Sequence, residues 1–275
     1  MEYFNINAFI LGSLLFTRLY ISNIIHSLYC IYYKIKIIEF SLFFKPWFSL
    51  HSEKLMGTKF SLGWLPLGVF IKPLGKSNDE EEKNKISQSD LPFAFFNKPK
   101  YLRTIFDIVP WFIDVFAFTL AFFLFAKFTN LISEFKSLIY YILEILSIMF
   151  SENLEKGKLL FITEEIIADK NIILFSFLLF TLFPLFFAPL SKIINWLSND
   201  KKNKSKIKKT LGFILTFGIC WLFLWKIPKF IFSIFTFNQC IVYLWSFLIG
   251  SFLVGLVFFY TTLSVVKSFT KLKYR

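Results

Sequence analysis

Five long apolar stretches separated by charged segments give the chain its layout. They run from Ile6 to Tyr33, Thr104 to Phe128, Asn171 to Leu197, Leu211 to Phe235 and Ile241 to Val266, with the short connection Phe237-Asn238-Gln239 between the last two. Each is long enough to cross a hydrocarbon core of about 30 Å as a helix rising about 1.5 Å per residue. Between the first two, the pattern shifts to alternation. Lys34-Ile-Lys-Ile-Ile-Glu-Phe-Ser-Leu-Phe-Phe44 and the stretch from Lys59 to Lys72, punctuated by Gly and Pro, predict strands of a hairpin-like sheet close to the membrane. Residues 131–150 are apolar but carry Glu134, Lys136 and Glu144, so either a span or a surface helix fits the pattern alone. Pro184 and Pro189 remove backbone donors inside the third stretch and predict a kink or break there.

The charges orient the spans. Lys and Arg number 12 in residues 34–103, 6 in 198–209 and 4 from Lys267 onward, whereas 129–170 carries 4 against 7 acids. Five spans place all the basic segments on one side, and counting 131–150 as a sixth would break that pattern; this segment is therefore expected to lie in the interface. The N-terminus is expected outside and the C-terminus inside, in a bacterial inner membrane or an organellar one.

Composition agrees with a bilayer environment. Hydrophobic residues make up 56% of the 275 and the mean hydropathy is +0.61, well beyond a soluble domain. The formal charge of +13 sits between apolar runs, which favours anchoring at an anionic leaflet over nucleic-acid binding. Cys30, Cys220 and Cys240 are odd in number and lack C-x-x-C spacing, which argues against a disulfide framework. The first stretch is too long for a cleavable signal and is expected to remain as an anchor.

Several polar residues interrupt the spans. Arg18, Ser22, His26 and Cys30 recur every four residues and form one stripe on a helix, which should face protein rather than lipid. Asp107 and Asp114 share a helical face in the second span, with Pro110 between them. They are either functional acids of a transport or energy-coupled subunit, or one of them is the structural ion-pair partner of Arg18. The run Asp79-Glu80-Glu81-Glu82 reads as a solvated loop, and His51 as a surface residue of a loop.

The first 125 or so residues resemble the site-2 protease family of intramembrane zinc metalloproteases, in its bacterial branch. The resemblance rests on three blocks in order: Lys36-Ile-Ile-Glu-Phe40-Ser41; Leu65-Pro66-Leu67-Gly68-Val69-Phe70-Ile71-Lys72-Pro73-Leu74-Gly75; and Phe93-Ala94-Phe95-Phe96-Asn97-Lys98-Pro99-Lys100-Tyr101-Leu102-Arg103, followed by Val109-Pro110-Trp111-Phe112-Ile113. It implies an outward N-terminus and a zinc site formed by H-E-x-x-H in the first span and an Asp in a later one. In that register Ser22 stands for the first zinc histidine, Asn23 for the catalytic glutamate and His26 for the second histidine. Pro189, in the frame set by Thr181-Leu-Phe-Pro184, stands for the aspartate.

One ligand of three remains. A catalytic zinc takes about three protein ligands and a neighbouring base, so zinc is not expected, and His26 and Cys30 are the only candidates for a metal. The spans and strands together give the expected fold, a mainly α membrane protein with about five transmembrane helices and a small β-hairpin or sheet between the first two. Its expected segments are 1–130, with a β region at 34–75 and an acidic loop at 76–92; 131–170, facing outward; and 171–275. The expected role is that of a pseudoprotease, a scaffold or binding subunit for other membrane segments in a hetero-oligomeric complex. Exposed strand residues Phe60, Leu62, Trp64, Pro66 and Gly68 are the expected contact surface. A residual zinc metalloprotease and a transport subunit using Arg18, Asp107 and Asp114 are the alternatives.

Overall fold

The computed structural model describes residues 3–76, 86–151, 172–199 and 206–273; the acidic run 79–82 and the segments 152–171 and 200–205 lie outside them. The protein is mainly helical, with a four-stranded sheet after the first helix. In chain order the elements are α1 (Ile6–Tyr32), β1 (Ile37–Phe44), β2 (His51–Leu55), β3 (Thr58–Leu62), β4 (Leu65–Pro73), α2 (Lys100–Phe125), α3 (Leu131–Phe150), α4 (Ile172–Asn199), α5 (Lys206–Trp221), α6 (Ile227–Ile234) and α7 (Phe237–Lys273). Two short 3-10 turns precede α2, and a π-turn at Leu222–Lys226 joins α5 to α6. Five helical stretches are long and apolar enough to cross a membrane: α1, α2, α4, α5 through α6, and α7. This is an integral membrane protein.

The chain forms two compact units. One joins Ala8–Ile113 to Ser246–Arg275; the other comprises Met1–Asn7 and Asp114–Trp245.

In the first unit the strand order is β2-β3-β1-β4. β2 and β3 form a hairpin around Met56-Gly57, both with positive φ (52° and 82°), as a tight two-residue hairpin turn requires. The pairing of β1 with β3 is parallel, which goes beyond the hairpin-like arrangement expected, because β2 fills the crossover. β2 escaped the sequence pattern since His-Ser-Glu-Lys-Leu has little β-branched or aromatic character. His51 therefore lies in a strand, half exposed, with its ring 5.7 Å from that of Phe259.

The sheet is amphipathic. Phe40, Leu42, Phe60, Leu62 and Val69 are buried against Phe16 of α1 and Phe259 and Leu263 of α7. Its other face carries a row across all four strands, Lys54, Lys59, Glu39 and Lys72 in register. Burial alone would push the Glu39 carboxyl upward, but hydrogen bonds from Lys45 and from Ser61 (2.8 Å), with the charges of Lys45 and Lys59, hold it below the ordinary carboxylate range.

α1 and α7 run parallel, with Phe9 beside Gly250 and Tyr20 beside Thr262. Gly250 lies against the carbonyl of Phe9, Gly12 against that of Phe247 and Gly255 against Phe16, and Ser251 Oγ donates to the Gly12 carbonyl at 3.1 Å. A Cβ at Gly12 or Gly250 would overlap a backbone oxygen, so only glycine permits this approach. A bulge in β1 places Phe43 at φ 67° and drives its ring onto Gly255, edge-on to Phe16 (5.2 Å) and stacked on Phe252 (5.3 Å).

In the second unit, Ala121 and Phe125 of α2, Leu138, Tyr141 and Ile148 of α3, and Phe175 and Leu178 of α4 form the core. α4 continues as helix through Pro184 and Pro189, so the predicted break does not occur. Pro228 is handled differently. It cannot donate to the carbonyl of Leu224, and the turn before it widens so that Ile227 N–H bonds the Leu222 carbonyl. The expected connection at Phe237–Gln239 is instead the first turn of α7. Thr236 caps it: the Gln239 side chain accepts from the Thr236 N–H (2.9 Å) and the Thr236 hydroxyl from the Gln239 N–H (3.4 Å), a capping box.

Candidate functional site

The polar stripe of α1 meets the first turns of α2, and the contact is organised by a proline. In a regular helix the N–H of residue 110 would bond the carbonyl of Phe106; Pro110 has no N–H, so that carbonyl loses its partner. His26 supplies a replacement. Its Nε2 lies 2.9 Å from the Phe106 oxygen, and since a carbonyl only accepts, Nε2 carries the proton and donates. The imidazole also stacks on the Phe106 ring at 4.4 Å. One turn further on, Tyr29 donates its hydroxyl to the Leu102 carbonyl at 2.8 Å. Cys30 is fully buried with Ile35, Phe95 and Phe106.

A cation completes the surroundings. Lys76, just beyond β4, places its ammonium 4.3 Å from the centroid of the Phe106 ring and 3.5 Å from Asp107. Asp107 pairs with Lys76, and its side chain is half exposed near the start of α2. Asp114 is buried in the second unit.

The arrangement fits a bound zinc poorly. His26 Nε2 is committed as a donor, which leaves Nδ1 as its one ligating atom, and Lys76 adds positive charge beside the ring on which His26 stacks. Ser22 is buried and can offer a hydroxyl. Asn23 turns its amide back to the Leu19 carbonyl (2.9 Å) and has no basicity near neutral pH. Pro189 is exposed on α4, in the other unit. Among the described residues no three His, Cys, Asp or Glu side chains gather as a metal site would require.

The expected contact surface on the sheet divides. Phe60 and Leu62 are buried in the core, because β3 lies between β2 and β1 and turns these side chains toward α1 and α7; they are not exposed contacts. Pro66 is buried as well. Trp64 is partly exposed and stacks on Trp47 at 5.5 Å and on Phe48 at 6.1 Å. Gly68, with φ 99°, sits on β4, an edge strand, between the half-exposed Leu67 and Phe70. Tyr29, Lys76 and Phe106 were not singled out from the sequence. Pro110 was their signal, since a proline announces that the carbonyl four residues earlier needs another donor.

No family model matches the chain. A stretch of 62 residues, 22% of the chain, is 40% identical to a protein of Helicobacter pylori (strain J99) named "Putative zinc metalloprotease". That stretch corresponds to 17% of the relative's length, well under two thirds of it.

Proposed function

We propose that the protein is a membrane scaffold on a site-2-protease-like frame, holding a segment of another membrane protein in a hetero-oligomeric complex without hydrolysing it. The inner membrane of a bacterium, with the N-terminus outside and the C-terminus inside, fits the distribution of Lys and Arg. The observation that supports this most is the hydrogen bond from His26 to Phe106. The residue in the place of a zinc histidine completes the backbone of α2, and Ser22 and Asn23 provide neither a second imidazole nor a base. The edge strand β4 offers an extended segment its backbone groups, and strand addition needs no metal.

A photo-crosslinking residue at Phe70 in intact membranes should give one discrete protein adduct. Leu67→Pro, which blocks strand addition at that edge, should abolish it, whereas Ser22→Ala should leave it intact. An adduct indifferent to Leu67→Pro would sink the proposal. The name of the H. pylori relative favours a second reading, a residual zinc metalloprotease using His26 and Cys30. Elemental analysis of the purified protein decides between them: stoichiometric zinc that disappears in Cys30→Ala supports the second reading, and zinc far below one per chain supports the first.

A further inference from the structure

The free side of β4 is defined by alternation. The N–H of Leu74, which follows β4, turns to β1 and donates to the Lys36 carbonyl at 2.8 Å. Successive residues of a strand direct their backbone groups to opposite sides, so Lys72 and Phe70 also turn theirs to β1, while Val69 and Ile71 turn theirs outward. Pro73, which has no N–H, falls at an outward position, where an edge strand accommodates it. The open edge therefore offers the N–H and C=O groups of Val69 and Ile71, a spacing that another extended backbone matches.

The side chains beside that edge are charged on one face. Lys72 is exposed and ends the row Lys54, Lys59, Glu39, Lys72, three lysines to one glutamate. That glutamate already accepts hydrogen bonds from Lys45 and Ser61. Positive charge is thus in excess along the row, and a strand added at β4 would set one of its own residues in the row, directly opposite Lys72. Opposite charges facing each other across two strands stabilise a sheet, and like charges there destabilise it. Two residues along the same face, the half-exposed Phe70 lays its ring over Gly68 and beside Phe44 (6.1 Å). It presents carbon to the added strand where Lys72 presents charge.

We infer that the segment held at β4 is an extended one carrying an aspartate or glutamate opposite Lys72 and an apolar side chain two residues away, opposite Phe70. The inference rests on the reading of β4 as an edge for strand addition and adds the chemistry of the occupant. β1 begins five residues after α1 ends, and Lys72 pairs near that start, so the acid belongs close to the end of a membrane span. In the orientation proposed above this is the inner side, where Lys and Arg prevail, and an acid there would distinguish the partner from most membrane segments.

Two fluorescent decapeptides of alternating Thr and Val, one with Asp-Val-Phe at its centre and the other with Lys-Val-Phe, provide the test. Added antiparallel to β4, their central residues face Lys72, Ile71 and Phe70 in turn. By anisotropy with the full-length protein in nanodiscs, the Asp peptide should bind about fivefold more tightly than the Lys peptide. Lys72→Gln should bring the two within about twofold of each other with helicity and elution unchanged, and Lys72→Arg should keep the preference. Equal binding of the two peptides by the wild type, or a preference that Lys72→Gln leaves in place, would overturn the inference. If both peptides then lose binding in Leu67→Pro, the strand edge stands and only the acid falls. Binding indifferent to Leu67→Pro, or no binding of either peptide, counts against the edge itself and the inference with it.

Discussion

The two halves of α1 are held by opposite means. Its N-terminal half approaches α7 through missing side chains, Gly12 against Phe247 and Phe9 against Gly250, with backbone touching backbone. Its C-terminal half meets α2 through added polar groups, with His26 and Tyr29 each donating to a carbonyl of the neighbouring helix. Both answer the same difficulty, since helices in lipid gain little from hydrophobic burial and rely on close packing and interhelical hydrogen bonds. The difference teaches where substitution is tolerated. The glycine contact admits no atom, whereas the hydrogen-bonded contact requires a donor but not a particular residue.

The largest effect should follow from Gly250→Leu. Its side chain would meet the Phe9 carbonyl, which cannot move without α1, and overpacking of this kind costs about 1–3 kcal/mol or more. Size-exclusion chromatography in mild detergent should show loss of the monodisperse species; a normal profile would break the comparison at its glycine end. His26→Ala should come next, at about 1–3 kcal/mol, because it leaves the Phe106 carbonyl buried without its donor. The same change made together with Pro110→Ala should cost far less, since an alanine in place of the proline restores the N–H that the carbonyl lacks. Thermal unfolding of the two singles and the double measures this coupling, and simple additivity would refute the role given to His26.

Tyr29→Phe should cost less, about 0.5–1.5 kcal/mol by the same melting assay, because the Leu102 carbonyl keeps its place in a regular helix. The smallest effect belongs to pH. The Glu39 carboxyl is held below its ordinary value of 4.5, so it contributes stability fully above that value and loses it as pH falls through the lower folded-state value. Glu39→Gln should therefore flatten the decline of melting temperature below pH 4.5, and an unchanged acid limb would count against the Lys45–Glu39–Ser61 network.

Much of the fold was legible because bilayers impose coarse rules. Runs of apolar residues located the five spans, and the alternating stretch from Lys34 and the Gly- and Pro-punctuated one from Lys59 located strands. What stayed hidden depended on partners remote in sequence. Nothing local marks β2 as a strand; it forms because the Met56-Gly57 turn folds it onto β3. Phe60 and Leu62 read as an exposed face only while β3 is imagined at an edge, and the parallel pairing with β1 buries them. The T-x-x-Q cap at Thr236 was present in the sequence but masked by the apolar residues around it. At the candidate site the departure of Ser22 and Asn23 from the H-E-x-x-H pattern that the resemblance implies was plain in the sequence. The use of His26 was not, because it depends on a carbonyl eighty residues away.

The unit that contains the sheet is discontinuous, since Ser246–Arg275 completes a body begun at Ala8. During synthesis Phe16, Phe43 and the apolar sheet face must wait for Phe259 and Leu263, which are made more than two hundred residues after Phe43. At about 5–20 residues per second that wait is on the order of ten seconds or more. Throughout it the nascent chain carries an uncovered glycine seam and a half-built core in the membrane. Loss of the segment from Ser246 onward would therefore act on the first third of this chain, leaving an N-terminal half that is fully translated and unfinished.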